Sequence, residues 1–352
     1  NRKMTFLTIE NFYKNNNLDE CFDEVFYQEQ FPETKDFYQP YCKENKIGDK
    51  HRLYYHYVIH GLKGLKNKNE KLIILRPTQG LCNRLLQIDS AYAFAKENNF
   101  SQIKICWSKT KGFSDEKFEE LFDKKALDNS FIKFISELEY TKLYEKYTSL
   151  DEHFYQNEDL QYVWEEGFEN ACETYKNSSF CLNHFASLDW IFGIKLESRY
   201  EFIKKLVPSK ALEKEIDKYE INSNYVGLHI RAGDALNSPW SEYYKKTKEE
   251  YYDFIIQSYD KVFLSTDSKT KQEYYLKKYP NKIKFSNKNF EKEDLKETDY
   301  KRYQAEAVID LFLLSKTREI YGTNWSTFNK VTSIIGQKNI IGNSYANFTD
   351  EE

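Results

Sequence analysis

The sequence predicts an α/β protein built on two doubly wound, Rossmann-like domains. Three observations predict it: short continuous apolar runs that stop at polar turns, helical spacing between those runs, and a change of period near residue 70. With 352 residues the chain exceeds a single small core and suits two domains with an appendage. The expected division is a small helical module over 1–67, a first domain over 68–215 and a second over 216–352, the two facing a cleft.

In the N-terminal module Phe22, Val25 and Phe26, then Leu53, Tyr54, Tyr57 and Val58, recur at spacings of three and four. Gly61, Gly64 and the Lys/Asn-rich stretch after them read as a linker. Leu72-Ile-Ile-Leu75 is an uninterrupted apolar tetrad, as in a parallel strand covered on both faces. Arg76 to Arg84, with Gly80 and Asn83 inside it, reads as a polar turn before a helix over 85–95 and a strand over 103–107, which makes a βαβ unit. Segment 113–200 mixes helical stretches with polar runs and yields no ordered list of elements. Beyond it the alternation is strict. Helices are expected over 206–219, 243–259, 269–279, 304–315 and 328–335, and strands over 225–230, 261–267, near Ile283 and over 318–321.

Composition narrows the function classes. Fifty-two basic residues against 56 acidic ones, net charge −4, leave no broad basic face of the kind nucleic acid requires. Six cysteines without a C-x-x-C pair indicate neither a zinc site nor a disulfide scaffold, and fit a reduced, cytoplasmic setting. No apolar run approaches the length of a bilayer span, although an anchor upstream of Asn1 stays open. The 29 Tyr and 26 Phe suit core packing and equally suit stacking on sugars or bases. G-x-G-x-x-G and G-x-x-x-x-G-K-[ST] are absent, which argues against a dinucleotide oxidoreductase and a P-loop NTPase. Asp-x-Asp is absent too, so a bound pyrophosphate would be held by protein cations rather than a carboxylate-bound metal.

The most informative stretch is Tyr225-Val-Gly-Leu-His-Ile-Arg-Ala-Gly-Asp234. Alternate residues of a strand share a face, so His229 and Arg231 point together from its carboxyl end, where open α/β sheets bind ligands. A surface strand whose Arg231 pairs with Asp234 fits the motif alone equally well. Three further segments fall at strand ends or turns: Gly80-Leu-Cys-Asn-Arg84, Ser265-Thr-Asp-Ser268 and Asn324-Trp-Ser-Thr-Phe328.

Together with the helical block Ala307 to Ser315, these segments resemble the fucosyltransferase superfamily that includes nodulation-factor, core α1,6- and protein O-fucosyltransferases. The resemblance implies a GT-B fold, no metal and no cofactor, and a GDP-fucose donor whose sugar passes with inversion to a glycan or oligosaccharide. On this resemblance Arg231 looks like the arginine that binds the donor pyrophosphate, and His229 like its neighbouring histidine. Asp267 resembles the aspartate that receives the guanine or ribose edge, and Asp310 the helix carboxylate that supports the nucleotide site. Ser326 and Thr327 look like a phosphate-binding hydroxyl pair, and Gly80, Asn83 and Arg84 match a glycine-rich turn of the first domain. The core α1,6 branch has a second arginine where this chain has Ala232, so one phosphate contact is either lost or supplied from elsewhere, and Arg76 or Arg84 could do it. Glu242, then Asp234, are the candidate general bases.

Each residue also has a structural reading. Ser326 and Thr327 fit helix N-caps, Asp267 could cap the helix from Lys269, Asp310 could make a buried structural hydrogen bond, and Arg84 could be a surface charge. A transferase for another nucleotide sugar, and a non-catalytic glycan-binding relative, stay open as alternative functions.

Overall fold

In the computed structural model the described residues are 72–77, 79–107, 116–127, 130–150, 180–183, 199–233, 241–290 and 304–341. The module expected over 1–67 and the base candidate Asp234 lie outside them.

The first sheet comprises β1 (Leu72–Arg76), β2 (Gln102–Cys106), β3 (Ile132–Ile135) and β4 (Phe180–Asn183), ordered β3-β2-β1-β4 with every pair parallel. Helix α1 (Leu81–Glu97) links β1 to β2, α2 (Phe118–Leu121) precedes β3, and α3 (Glu137–Leu150) follows it. After β4 come α4 (Glu201–Lys204) and α5 (Lys210–Asp217). The second sheet holds β5 (Val226–Ile230), β6 (Val262–Thr266), β7 (Ile283–Lys284), β8 (Ile320–Gly322) and β9 (Ile340–Ile341), again all parallel, in the order β7-β6-β5-β8-β9. Its helices are α6 (Ser241–Tyr244), α7 (Glu249–Ser258), α8 (Lys269–Lys278), α9 (Gln304–Lys316) and α10 (Thr327–Gly336). The expected α/β class holds, with both sheets inside one compact unit covering 71–141 and 155–352.

Helix α1 opens four residues earlier than the expected start at 85, because nothing after Gly80 breaks a helix and Asn83 and Arg84 sit comfortably in its first turns. Fourteen of its 17 residues are buried, so it packs on all sides instead of showing a polar face. Buried Asp89 explains part of that: its carboxylate accepts the backbone N–H groups of Tyr200, Phe202 and Ile203 at 2.8, 3.1 and 3.1 Å, capping α4 from a distance. Helix α5 starts at Lys210 rather than 206 because Pro208 disfavours helical backbone at Val207, and Ser209 then caps it. The helix expected over 243–259 divides into α6 and α7, with Thr247 between them accepting the Asn324 N–H at 2.9 Å.

One apolar cluster runs from Ile73, Ile103 and α1 through Phe202 and Ile203 to Leu311, Leu314 and Val331. A second lies on the opposite face of the second sheet, where Val226, Leu228 and Ile230 meet Tyr252, Ile255 and Ile256 of α7. No helix among the described residues is long and apolar enough to cross a membrane.

Candidate active site

Strand β5 sits at the centre of its sheet, with β6 and β7 on one side and β8 and β9 on the other. The chain therefore reverses its winding between β5 and β8. In an open α/β sheet the helices diverge there and leave a crevice beyond the carboxyl ends of the two strands. Arg231 follows β5 directly, and Thr323 to Ser326 follow β8.

The alternation of β5 decides which side chains reach the crevice. Val226, Leu228 and Ile230 enter the apolar cluster beneath α7. Gly227, His229 and Arg231 therefore take the face covered by α9 and α10. A Cβ on Gly227 would run into Thr317 and Leu314, which is why only glycine lets α9 lie this close. His229, 4 % exposed, shares Nδ1 with the Asn329 Oδ1 of α10 at 2.7 Å and stacks on Phe328, ring centroids 4.7 Å apart. Asn329 donates from Nδ2 to the Thr323 carbonyl at 2.8 Å, so its Oδ1 is the acceptor and His229 Nδ1 carries the proton. Burial pulls the imidazole down to about 4, so the ring is neutral near pH 7.

Arg231 is fixed at both ends. Its N–H donates to Thr323 Oγ1 at 2.8 Å, and its guanidinium pairs with Oδ2 of Asp267, each side chain about one quarter exposed. Oδ1 of Asp267 accepts the N–H groups of Ala232 and Gly233 at 2.8 and 3.0 Å. Asp267 is thus the organiser of the turn after β5, and Ser268, not Asp267, caps α8 by accepting the Lys271 N–H. Gly233 passes so close to the carboxylate that a Cβ would collide with it. The alternative of a surface strand does not apply, since β5 is central and fully buried, while the pairing with Asp234 lies outside the described residues.

Ser326 occupies the N-cap position of α10 and is 4 % exposed, yet its hydroxyl makes no capping bond. It turns to His229 Nδ1 at 3.5 Å instead. The leading amides of α10, with Thr327 first among them, thus open beside Arg231 with no side chain across them from Ser326, an arrangement suited to an anion.

Asp310 lies deeper, 1 % exposed on α9, where it accepts the Ser265 and Ser286 hydroxyls and pairs with Lys288. Ser265 is the register partner of His229, so Asp310 braces the strand beside the site. Lys288 also donates to the Thr266 carbonyl at 2.6 Å, and a cavity of about 430 Å³ opens next to it, lined by Lys269, Asn287, Asn289, Phe290 and Glu306.

The residues of the first sheet are engaged differently. Gly80 is the N-cap of α1, and Asn83 donates to Gln79 at 2.9 Å. Arg84 is 1 % exposed: its guanidinium lies 3.3 Å from the centre of the Trp107 ring, and it donates to Gln304 Oε1 at 3.3 Å. Arg76 pairs with Glu137 at 3.0 Å. Burial raises the Cys82 thiol in the first turn of α1, opposed by the charge of Arg231, so the start of α1 lies within electrostatic reach of that guanidinium. Glu242 stands on α6 with its side chain 83 % exposed, 3.6 Å from Lys245.

Thr323, Asn329 and Lys288 belong to this arrangement and were not singled out from the sequence. Thr323 carries the same signal as Arg231, a polar residue directly after a buried strand. Asn329 and Lys288 gave none, because their partners lie 100 and 22 residues away along the chain.

No family model matches the chain, and no curated protein matches it. Solved structures do. The NodZ α1,6-fucosyltransferase soaked with GDP-fucose superposes with a TM-score of 0.53 at 16 % identity, covering 76 % of this chain and 92 % of that one. Fucosyltransferase NodZ from Bradyrhizobium gives 0.52 at 16 % identity over 75 % of this chain and 92 % of that one. NodZ co-crystallised with GDP gives 0.51, with 75 % and 91 % covered. The pair of parallel sheets and the helices between them are the fold of the NodZ fucosyltransferase.

Proposed function

We propose that the chain is a metal-independent, inverting GT-B glycosyltransferase that moves L-fucose from GDP-fucose to a hydroxyl of a glycan or oligosaccharide. The observation that carries this reading is the placement of Arg231 directly after β5 and of Ser326, at the amino end of α10, directly after β8, where the winding reverses. Cleaving the sugar–phosphate bond builds negative charge on the departing diphosphate, and fixed cations and amides aimed there lower the barrier without reorganising. Arg231 supplies a two-pronged donor, and the helix terminus adds partial positive charge. A diphosphate competes with Asp267 for the guanidinium, while Asp267 keeps its backbone donors and the turn keeps its shape. Neutral His229, backed by Asn329 and Phe328, serves as a rigid floor that adds no competing charge.

We place the nucleoside in the open depression beside Lys288, with Asp310 paired to that lysine from below. In this reading residues 68–215 form the acceptor-side domain and 216–352 the donor-side domain. Glu242, on the exposed helix after the β5 turn, is the first choice for the base that takes the acceptor proton, and Asp234 the second. Buried free thiols at Cys82 and Cys106 suit a reducing, cytoplasmic setting.

The test is a panel of nucleotide sugars with thermal shift against GDP and UDP. GDP release from GDP-fucose alone, unaffected by chelators, supports the proposal. Release from a different donor assigns another transferase, no binding of any nucleotide assigns a non-catalytic relative, and strict dependence on manganese ends the metal-free account.

A further inference from the structure

Between Thr323, bonded to the Arg231 N–H, and Ser326, bonded to His229, the chain runs through Asn324 and Trp325. Trp325 adopts φ 62°, a left-handed backbone that a bulky residue rarely takes. Its neighbours Thr323 and Ser326 are 0 % and 4 % exposed, whereas the indole is only half-buried. The turn therefore holds a large ring out of the core at the rim of the site, against its own backbone preference. Such strain persists where the surroundings over-determine it, and it clusters at ligand sites.

The ring does not stand alone. Tyr243 of α6 meets it with centroids 4.3 Å apart at 44°, and Lys246 lies over Tyr243 at 5.1 Å. Asn324 donates its N–H to Thr247, yet its Oδ1 is buried with no hydrogen-bond partner among the described residues. Glu242, the proposed base, stands on the same four-residue helix as Tyr243. Two aromatic rings and exposed charged groups therefore meet within a few residues of the diphosphate site.

We propose that Tyr243 and Trp325 form the platform on which a sugar ring of the acceptor lies. This rests on the transferase reading above and extends it to the second substrate. A pyranose with equatorial hydroxyls presents axial C–H bonds on its faces, and their partial positive charge suits the negative face of an aromatic ring. Its hydroxyls reach outward, where exposed Glu242 can take the proton of the attacking one. A sugar ring uses both halves of this surface, the apolar rings and the polar fringe.

The experiment is intrinsic fluorescence of the full chain, titrated with millimolar tetrasaccharides of glucose, N-acetylglucosamine, galactose and mannose, each with and without saturating GDP. At least one tetrasaccharide should bind with GDP in place. Trp325→Ala and Tyr243→Ala should each weaken it about tenfold or more, with GDP affinity held within about twofold. Trp325→Gly, which relieves the left-handed backbone, should keep or raise the melting temperature and still lose the sugar, so misfolding is separable from lost contact. The platform is overturned if none of the four sugars binds the wild type, if binding survives in the alanine variants, or if GDP competes with the sugar and weakens in the same variants. Sugar binding that depends on Trp325 in a chain with no affinity for GDP would uphold the platform and overturn the donor reading instead.

Discussion

The two sheets place their arginines differently, and the contrast separates structure from chemistry. In the first sheet Arg76 is tied to Glu137 and Arg84 is buried against Trp107 and Gln304, so both guanidinium groups are occupied by the fold. In the second sheet Arg231 sits at the winding reversal, partly exposed and paired with the Asp267 carboxylate, which a stronger anion can displace. The same residue type thus acts as mortar on one side and as a waiting hand on the other.

Exchanging the roles is the sharpest way to break this contrast. Arg231→Ala should lower turnover by about a hundredfold to a thousandfold and weaken GDP, with a small change in melting temperature, as measured by steady-state rates beside calorimetry. Arg84→Ala should do the reverse, costing about 2 to 4 kcal/mol of stability through the lost ring contact and the cavity left behind, as read from denaturant unfolding. Full activity in the first variant, or a large rate loss in a well-folded second one, would erase the distinction.

Acid supplies a smaller effect. The folded-state pKa of His229 is about 4 against an ordinary value of 6.5, so between those values the unfolded chain binds a proton that the native one refuses. Its contribution to stability is complete above pH 6.5 and is lost as pH falls towards 4, with a slope of at most about 1.4 kcal/mol per pH unit. His229→Gln should flatten that limb of the stability–pH curve relative to wild type. The smallest effect belongs to Ser326→Ala: GDP affinity should fall by roughly 0.5 to 1.5 kcal/mol while stability stays level, because this hydroxyl caps nothing. A marked fall in melting temperature would return Ser326 to an ordinary helix cap.

The second sheet was the more legible. Strands β5, β6 and β8 are short, mostly apolar runs that lead into polar turns, and each lies within two residues of its expected bounds. Strands β3 and β4 escaped notice because four residues such as Ile-Lys-Phe-Ile, with Lys133 exposed, look like a turn of helix as readily as an edge strand. The division of 243–259 was hidden because Lys245 to Lys248 contains no glycine or proline, and the break is set by Thr247 bonding a turn 77 residues further on. His229 and Arg231 could be placed from strand alternation alone. That Asp267 would grip Arg231, that Asp310 would be bound by Ser286 and Lys288, and that Arg84 would lie on Trp107 depends on packing between distant segments, to which a local pattern is blind.

The apolar cluster that crosses from Ile73 and Ile103 through α1 and α4 to Leu311 and Val331 bears on how the protein can be taken apart. A cut near residue 215 would strip water-excluded faces from both fragments at once, since Phe202 and Ile203 would lose α10 while Val331 lost α1. Neither piece should dissolve on its own, and heating the intact molecule should register one melting event for both sheets rather than two.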